Sequence, residues 1–323
     1  MFRTYSLPLF LAFLAVCSIA SPSLAQGKSE RFREKAKPKS SSPTPATTPA
    51  TDSNVATAEI EKMLDVPYAE VLGVDAKLLS LDIYKLKSAK NAPVMVYVHG
   101  GGWKAGDKKS VGTKPDFFTS QEFILVSLNY RLIPQVDILT QLQDTANAIA
   151  WIHSHIAEYG GDPTRIHICG HSAGAHHVAI VGTNERFLKA AGKDLSILKS
   201  VLVLDTQVLD TKTLLANEKS GPKYGQTFGT DEKILSQISP ITNVAKGKMI
   251  PPFIISYSHG TEGDNTTESR TLQANAFSHA LTEAGIRNLV VPATDRSHGE
   301  INARFGTAED NVTQATMRFI ESK

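Results

Sequence analysis

A serine with glycine two positions to either side, Gly170-His171-Ser172-Ala173-Gly174, constrains this chain more than any other feature. It follows an apolar stretch, residues 165–169, with the composition of a buried strand, and it precedes residues 173–181, which have the spacing of a helix. A strand that turns into a helix within so few residues must take a sharp, strained turn, which lifts the Ser172 hydroxyl above the sheet. The glycines leave room for that turn. The backbone N–H of Ala173, at the start of the helix, faces the place where an anionic oxygen would form. His171 points away from the approach to the serine and is not a candidate base. Cys169 has no such turn of its own and reads as a small apolar residue packed beneath it.

A second glycine cluster, His99-Gly100-Gly101-Gly102-Trp103, directly follows the strand-like residues 93–98. Glycines let the backbone come close to a bound carbonyl. Gly101 and Gly102 are the candidate donors that would complete an oxyanion hole with Ala173. His99 reads as the residue that fixes the loop. Trp103 is a candidate wall of an acyl pocket, or simply a packed aromatic.

A serine presented in this way takes its acid and its histidine later in the chain, in that order. His298, in Asp295-Arg296-Ser297-His298-Gly299-Glu300 after the last expected strand, is the candidate base. His259 comes too early and His279 falls mid-helix. The acid is expected in the loop after residues 253–258. Asp264 is the first choice there and Glu262 the alternative. Asp295 lies too near the base in sequence, and Asp205 follows an earlier strand. The acid's task would be to hold the imidazole in one tautomer and to stabilise its charged form.

The rest of the chain alternates strand-like and helix-like segments. Strands are expected at 66–72, 77–84, 93–98, 123–128, 165–169, 199–204, 253–258 and 288–291, and helices at 138–156, 173–181, 271–284 and 310–321. Such alternation predicts an α/β fold, a mostly parallel sheet covered by helices on both faces. One domain, 59–323, accounts for all of it, with 207–248 as a small insertion over the C-terminal edge of the sheet.

The first 58 residues differ in kind. Residues 1–25 hold Arg3, an apolar stretch at 7–16 and the small-residue pattern Ser23-Leu24-Ala25, the layout of a signal peptide. An uncleaved anchor is the alternative. Cys17 lies in a segment loosely like a lipoprotein signal. If the segment leaves, Cys169 has no partner for a disulfide. Residues 26–58 are rich in Lys, Ser, Pro, Thr and Ala, too polar to form a core, and read as a flexible spacer. Its basic half offers a contact to an anionic envelope. The basic excess of the chain lies in these first residues, and the remainder is net negative, which argues against nucleic acid as a partner. His153 with His155 and His176 with His177 lack metal-ligand spacing, and no glycine loop suits a phosphate. No metal or cofactor is expected. The sequence does not reveal an oligomeric state.

His99–Trp103, Asn129-Tyr130-Arg131-Leu132, Tyr159-Gly160-Gly161-Asp162-Pro163 and Gly170–Gly174 together resemble the α/β-hydrolase esterases related to hormone-sensitive lipase and kynurenine formamidase. Residues 297–302 followed by Phe305-Gly306 resemble the ending of bacterial xylan deacetylases and feruloyl esterases. The resemblance covers residues 64–322. It implies the α/β-hydrolase fold, a Ser172/Asp264/His298 triad and hydrolysis without a cofactor. Two departures stand out: Gly263 where an acidic residue is expected, and Leu204-Asp205-Thr206-Gln207 where a glycine-containing turn is expected. The expected activity is that of an exported carboxylesterase acting on short-acyl or aryl esters, free or carried on polysaccharide. Cleavage of an aryl formamide and a catalytically silent binding scaffold are the alternatives.

Overall fold

The structure, a computed structural model, describes residues 59–218, 221–260 and 267–322. Its centre is an eight-stranded sheet in the order β1-β2-β4-β3-β5-β6-β7-β8. The strands are β1 (Ile60–Pro67), β2 (Ser80–Leu86), β3 (Ala92–Val98), β4 (Ile124–Leu128), β5 (Gly161–His171), β6 (Leu198–Leu204), β7 (Phe253–Ser258) and β8 (Asn288–Ala293). β1 and β2 pair antiparallel, as do β2 and β4. From β4 through β8 every pairing is parallel. Parallel strands need helical crossovers, which cover both faces of the sheet.

The alternation of side chains along each strand sorts the core into two layers. Val94, Val96 and Val98 of β3, with Ile166 and Ile168 of β5, pack with α2 (Ile138–His155), α3 (Ala173–Thr183) and α9 (Thr267–Glu283). Met95, Tyr97, Cys169, Leu202 and Ile254 face the other way. They pack against α1 (Lys114–Ser120), α10 (His298–Arg304) and α11 (Asn311–Glu321). α3 is buried along its whole length, which suits its run of Ala, Val, Ile and Gly. The segment expected to be an insertion folds as short helices: α5 (Thr211–Ala216), α6 (Gly221–Phe228), α7 (Glu232–Gln237) and α8 (Pro240–Asn243). α4 (Glu185–Ala190) precedes them.

The sequence reading misplaces some boundaries. The first strand lies at Ile60–Pro67 rather than 66–72, because Tyr68 turns inward and its hydroxyl donates to the Asn129 carbonyl at 2.8 Å. The second begins at Ser80 rather than 77. Asp75 accepts from the Lys77 N–H and holds residues 76–79 in a short helical turn. Helices α1, α4 and α10 are too short for their periodicity to stand out.

Cys169 is fully buried, and burial pushes its thiol up to about 12. It packs as a small apolar residue. The ammonium of Lys108 lies inside the protein between Asp82 (2.6 Å) and Asp65 (2.5 Å), just beyond the glycine loop. Lys108 and Asp82 are both about fully buried, and Asn129 Oδ1 accepts the Lys108 backbone N–H at 2.7 Å. Breaking a buried pair from one side strands the other charge, which costs about 3–5 kcal/mol. Lys108→Met is therefore expected to lower the unfolding free energy by that much, measured by denaturant unfolding, and adding Asp82→Leu should restore a large part of it. A single variant as stable as the parent would show that the pair holds nothing.

Candidate active site

Ser172 sits between β5 and α3 with φ 57° and ψ −116°, a conformation costing about 1–3 kcal/mol for a residue with a side chain. The two glycines of the turn make it possible. A Cβ on Gly170 would lie 2.2 Å from the Gly174 carbonyl oxygen. One on Gly174 would lie 2.1 Å from the oxygen of Val98 and 2.5 Å from that of His99. The first turn of α3 thus rests directly on the start of the glycine loop. The Ser172 N–H donates to the Leu204 carbonyl at 3.1 Å, which ties the turn to the end of β6.

The glycine loop is braced from below. The Tyr130 hydroxyl donates to the His99 carbonyl at 3.0 Å, and the two rings stack at 4.5 Å. His99 Nδ1 is 2.8 Å from the Gly100 carbonyl and donates to it in the matching tautomer. A Cβ on Gly100 would come within 3.0 Å of the Ser172 Cβ, so the loop runs alongside the serine. Gly101 has φ 127°, and a Cβ there would collide with the Ala105 carbonyl. Gly102 has φ 60° with open space beside it. Among the described residues, the backbone N–H groups of Gly101, Gly102 and Ala173 have no protein acceptor. Trp103 is buried, and its carbonyl accepts from the Gln141 amide at 2.8 Å and the Ile133 N–H at 2.9 Å. Its ring meets His176, Tyr224 and Phe228 edge-on, so α6 closes one side of the site.

His298 is the first residue of α10. Ser297 caps that helix, with reciprocal bonds to Glu300. The cap and the bond from His298 N–H to the Gly260 carbonyl (3.0 Å) aim the ring at the serine. His298 Nε2 lies 2.9 Å from Ser172 Oγ. The structure therefore brings together the serine and the histidine that the sequence singles out.

The carboxylate is a different one. His298 Nδ1 lies 2.7 Å from Oδ2 of Asp205, the residue that follows β6. Asp264, the expected acid, and Glu262, its alternative, lie outside the described residues. The placement of Asp205 has a structural reason. β6 is the immediate neighbour of β5, so a residue at its end stands one strand from the serine. β7 ends instead in Ser258, whose hydroxyl donates to Asp205 Oδ2 at 2.5 Å and whose N–H donates to Oδ1 at 3.1 Å. Arg270 of α9 donates to Oδ1 at 2.6 Å. Burial alone would raise the Asp205 carboxyl, but the bond to His298 and the charge of Arg270 outweigh it and bring it down to about 2. The one sequence signal is an aspartate directly after the apolar run 201–204, at the position where the expected glycine turn is missing.

His171 was also underread. Its Nε2–H donates to the carbonyl of His298 at 2.9 Å, and the two rings lie 4.5 Å apart. Burial, followed by the nearness of His298, pulls its imidazole down to about 3, so it stays neutral beside the other ring. Beyond the brace from Tyr130, charged residues of two family-like motifs serve as clamps away from the serine. Arg131 forms a forked pair with Asp144, and Asp162 accepts from Thr164 and Arg165. Among the described residues, no group of His, Cys, Asp and Glu could hold a metal ion.

A serine on a strained strand-to-helix turn, a glycine loop beside it and a histidine delivered after the last strand make up the site arrangement of an α/β-hydrolase fold. The chain belongs to the BD-FAE family, whose profile matches residues 81–279. It is 28% identical over 236 residues to a probable isoprenylcysteine alpha-carbonyl methylesterase of Arabidopsis thaliana, covering 68% of this chain and 48% of that protein. It is 26% identical over 273 residues to Esterase LipQ of Mycobacterium tuberculosis, covering 79% of this chain and 61% of that one. The chain thus spans about half to three fifths of the length of these relatives. Among solved structures, esterase B of Lactobacillus rhamnosis shares the fold, with TM-score 0.63 and 19% identity over 81% of this chain and 86% of that one. Esterase 2 of Thermogutta terrifontis matches at TM-score 0.58 and 26% identity, over 81% of this chain and 89% of that one.

Gly174 is the most restrictive position of the elbow. Gly174→Ala is expected to push α3 off the glycine loop, lowering both the thermal midpoint and any Ser172-dependent reaction with a fluorophosphonate. An alanine variant that labels and melts like the parent would contradict the packing described.

Proposed function

We propose that this protein is a carboxylesterase that works through Ser172, His298 and Asp205. The observation that carries the reading is the continuous line of contacts from Ser172 Oγ through both nitrogens of His298 to a buried carboxylate. In this mechanism His298 Nε2 takes the proton of Ser172 as its oxygen attacks the ester carbonyl. Asp205 holds the Nδ1–H tautomer and stabilises the imidazolium. The N–H groups of Gly101, Gly102 and Ala173 receive the oxyanion, each donor contributing about 2.7–4 kcal/mol to the transition state. The imidazolium returns its proton to the leaving alcohol, and water then cleaves the acyl-serine by the same steps.

The close packing of Trp103 with Tyr224 and Phe228 supports short-acyl or aryl esters as substrates, because a long chain would have to displace buried rings. The names of the relatives support ester hydrolysis as the reaction class. The layout of residues 1–25 and 26–58 supports export of a catalytic domain on a polar tether. On that basis we place its substrates outside the cytoplasm.

The test is hydrolysis of p-nitrophenyl acetate, butyrate and octanoate by the parent and three variants. The parent is expected to favour the two shorter esters, and Ser172→Ala to lose nearly all turnover. Asp205→Asn should lower kcat by about 10⁴-fold, the scale seen when a triad histidine is left in the wrong tautomer. Asp264→Asn should stay close to the parent. The opposite ranking of the two aspartate variants would return the acid's role to Asp264, and activity in Ser172→Ala would end the proposal.

A further inference from the structure

Asp205 has more partners than a hydrogen-bonded relay requires. Oδ2 accepts from His298 and from the Ser258 hydroxyl. Oδ1 accepts from the Ser258 N–H and from Arg270 Nη1. Arg270 is 3% exposed and Asp205 fully buried, so the guanidinium and the carboxylate face each other out of water. Burying a guanidinium costs several kcal/mol unless an opposite charge compensates it, so this contact is not incidental.

The pairing changes what His298 experiences. An unshared carboxylate would present a full negative charge to the imidazolium formed during catalysis. Here a permanent cation already balances much of that charge at 2.6 Å. The carboxylate still orients the ring, but it rewards protonation of the ring less. Among the described residues, the other groups bonded to or stacked on His298 do not supply this balance. Across the ring from β5 lies His171, held neutral by its burial. Ser172 is uncharged. On α10 itself, Glu300 is occupied by the Ser297 N–H and hydroxyl. The permanent charge bonded to the relay from α9 is Arg270.

We propose that Arg270 sets the basicity of His298 by sharing Asp205 with it. Arg270 acts as a positioning residue, through the carboxylate and without touching the substrate. It keeps His298 unprotonated, and so ready as a base, to lower pH than the carboxylate alone would allow. This inference rests on the proposed Ser172–His298–Asp205 relay.

The direction of a pH shift separates tuning from simple support. The protonation midpoint of His298 is read by NMR of its imidazole, and in parallel from the acidic limb of kcat/KM. Removing a nearby positive charge favours the imidazolium, so Arg270→Gln should move the midpoint upward by roughly one pH unit. Arg270→Lys, which keeps the charge, should leave it near the parent value. If Arg270 only props Asp205 in place, its loss frees the carboxylate from the ring and the midpoint falls. A fall or no change in the Gln variant overturns the proposal. Arg270→Met serves as the charge-removing variant if the Gln protein does not fold, judged by circular dichroism. The NMR readout needs no turnover. An upward shift in a protein that cleaves no ester would therefore uphold the tuning and fail the esterase reading, and an active esterase with an unmoved midpoint would do the reverse.

Discussion

The backbone at Ser172 is held in a conformation that a residue with a side chain avoids, and much of the site is arranged around keeping it there. Gly170 and Gly174 let the turn close without a Cβ between α3 and the start of the glycine loop. The Leu204 carbonyl holds the Ser172 N–H, and the His99 carbonyl, pressed against Gly174, is itself fixed by Tyr130. Strain in one residue is thus offset by close packing over several, and the serine hydroxyl is left standing above the sheet.

From that point the site is assembled by strand adjacency. β5 delivers the serine, β6 the carboxylate, β7 the serine that supports the carboxylate, and the turn beyond β8 the histidine. Each arrives at the C-terminal edge of the parallel sheet, where helices begin and loops are free to vary. His298 gains its aim from being the first residue of a capped helix, which fixes its backbone more firmly than a loop would. His171 and Arg270 add a neutral ring on one side and a cation behind the acid on the other.

Buried charge serves position as much as stability. The Lys108 cluster lies just beyond the glycine loop, Arg131 with Asp144 anchors the strand-to-helix connection after β4, and Arg296 pairs with Asp310 ahead of α11. Each pair is worth little as net stabilisation, because desolvation offsets most of the attraction. Each does strongly disfavour arrangements that separate its partners, and all three lie in segments flanking the site.

Local sequence pattern alone determines the serine, the histidine, the glycine loop and the alternating α/β plan. Each of these rests on residues close together in the chain: glycines at set spacing around Ser172, an apolar run before His99, a histidine after the last strand. The carboxylate, the ring of His171 and the cation of Arg270 were settled by tertiary structure alone. Asp205 reads as an ordinary aspartate after a strand until β6 is known to lie beside β5. Arg270 and His298 meet it from segments 65 and 93 residues away. Contacts across such separations depend on strand order and helix placement, and no short-range periodicity encodes them.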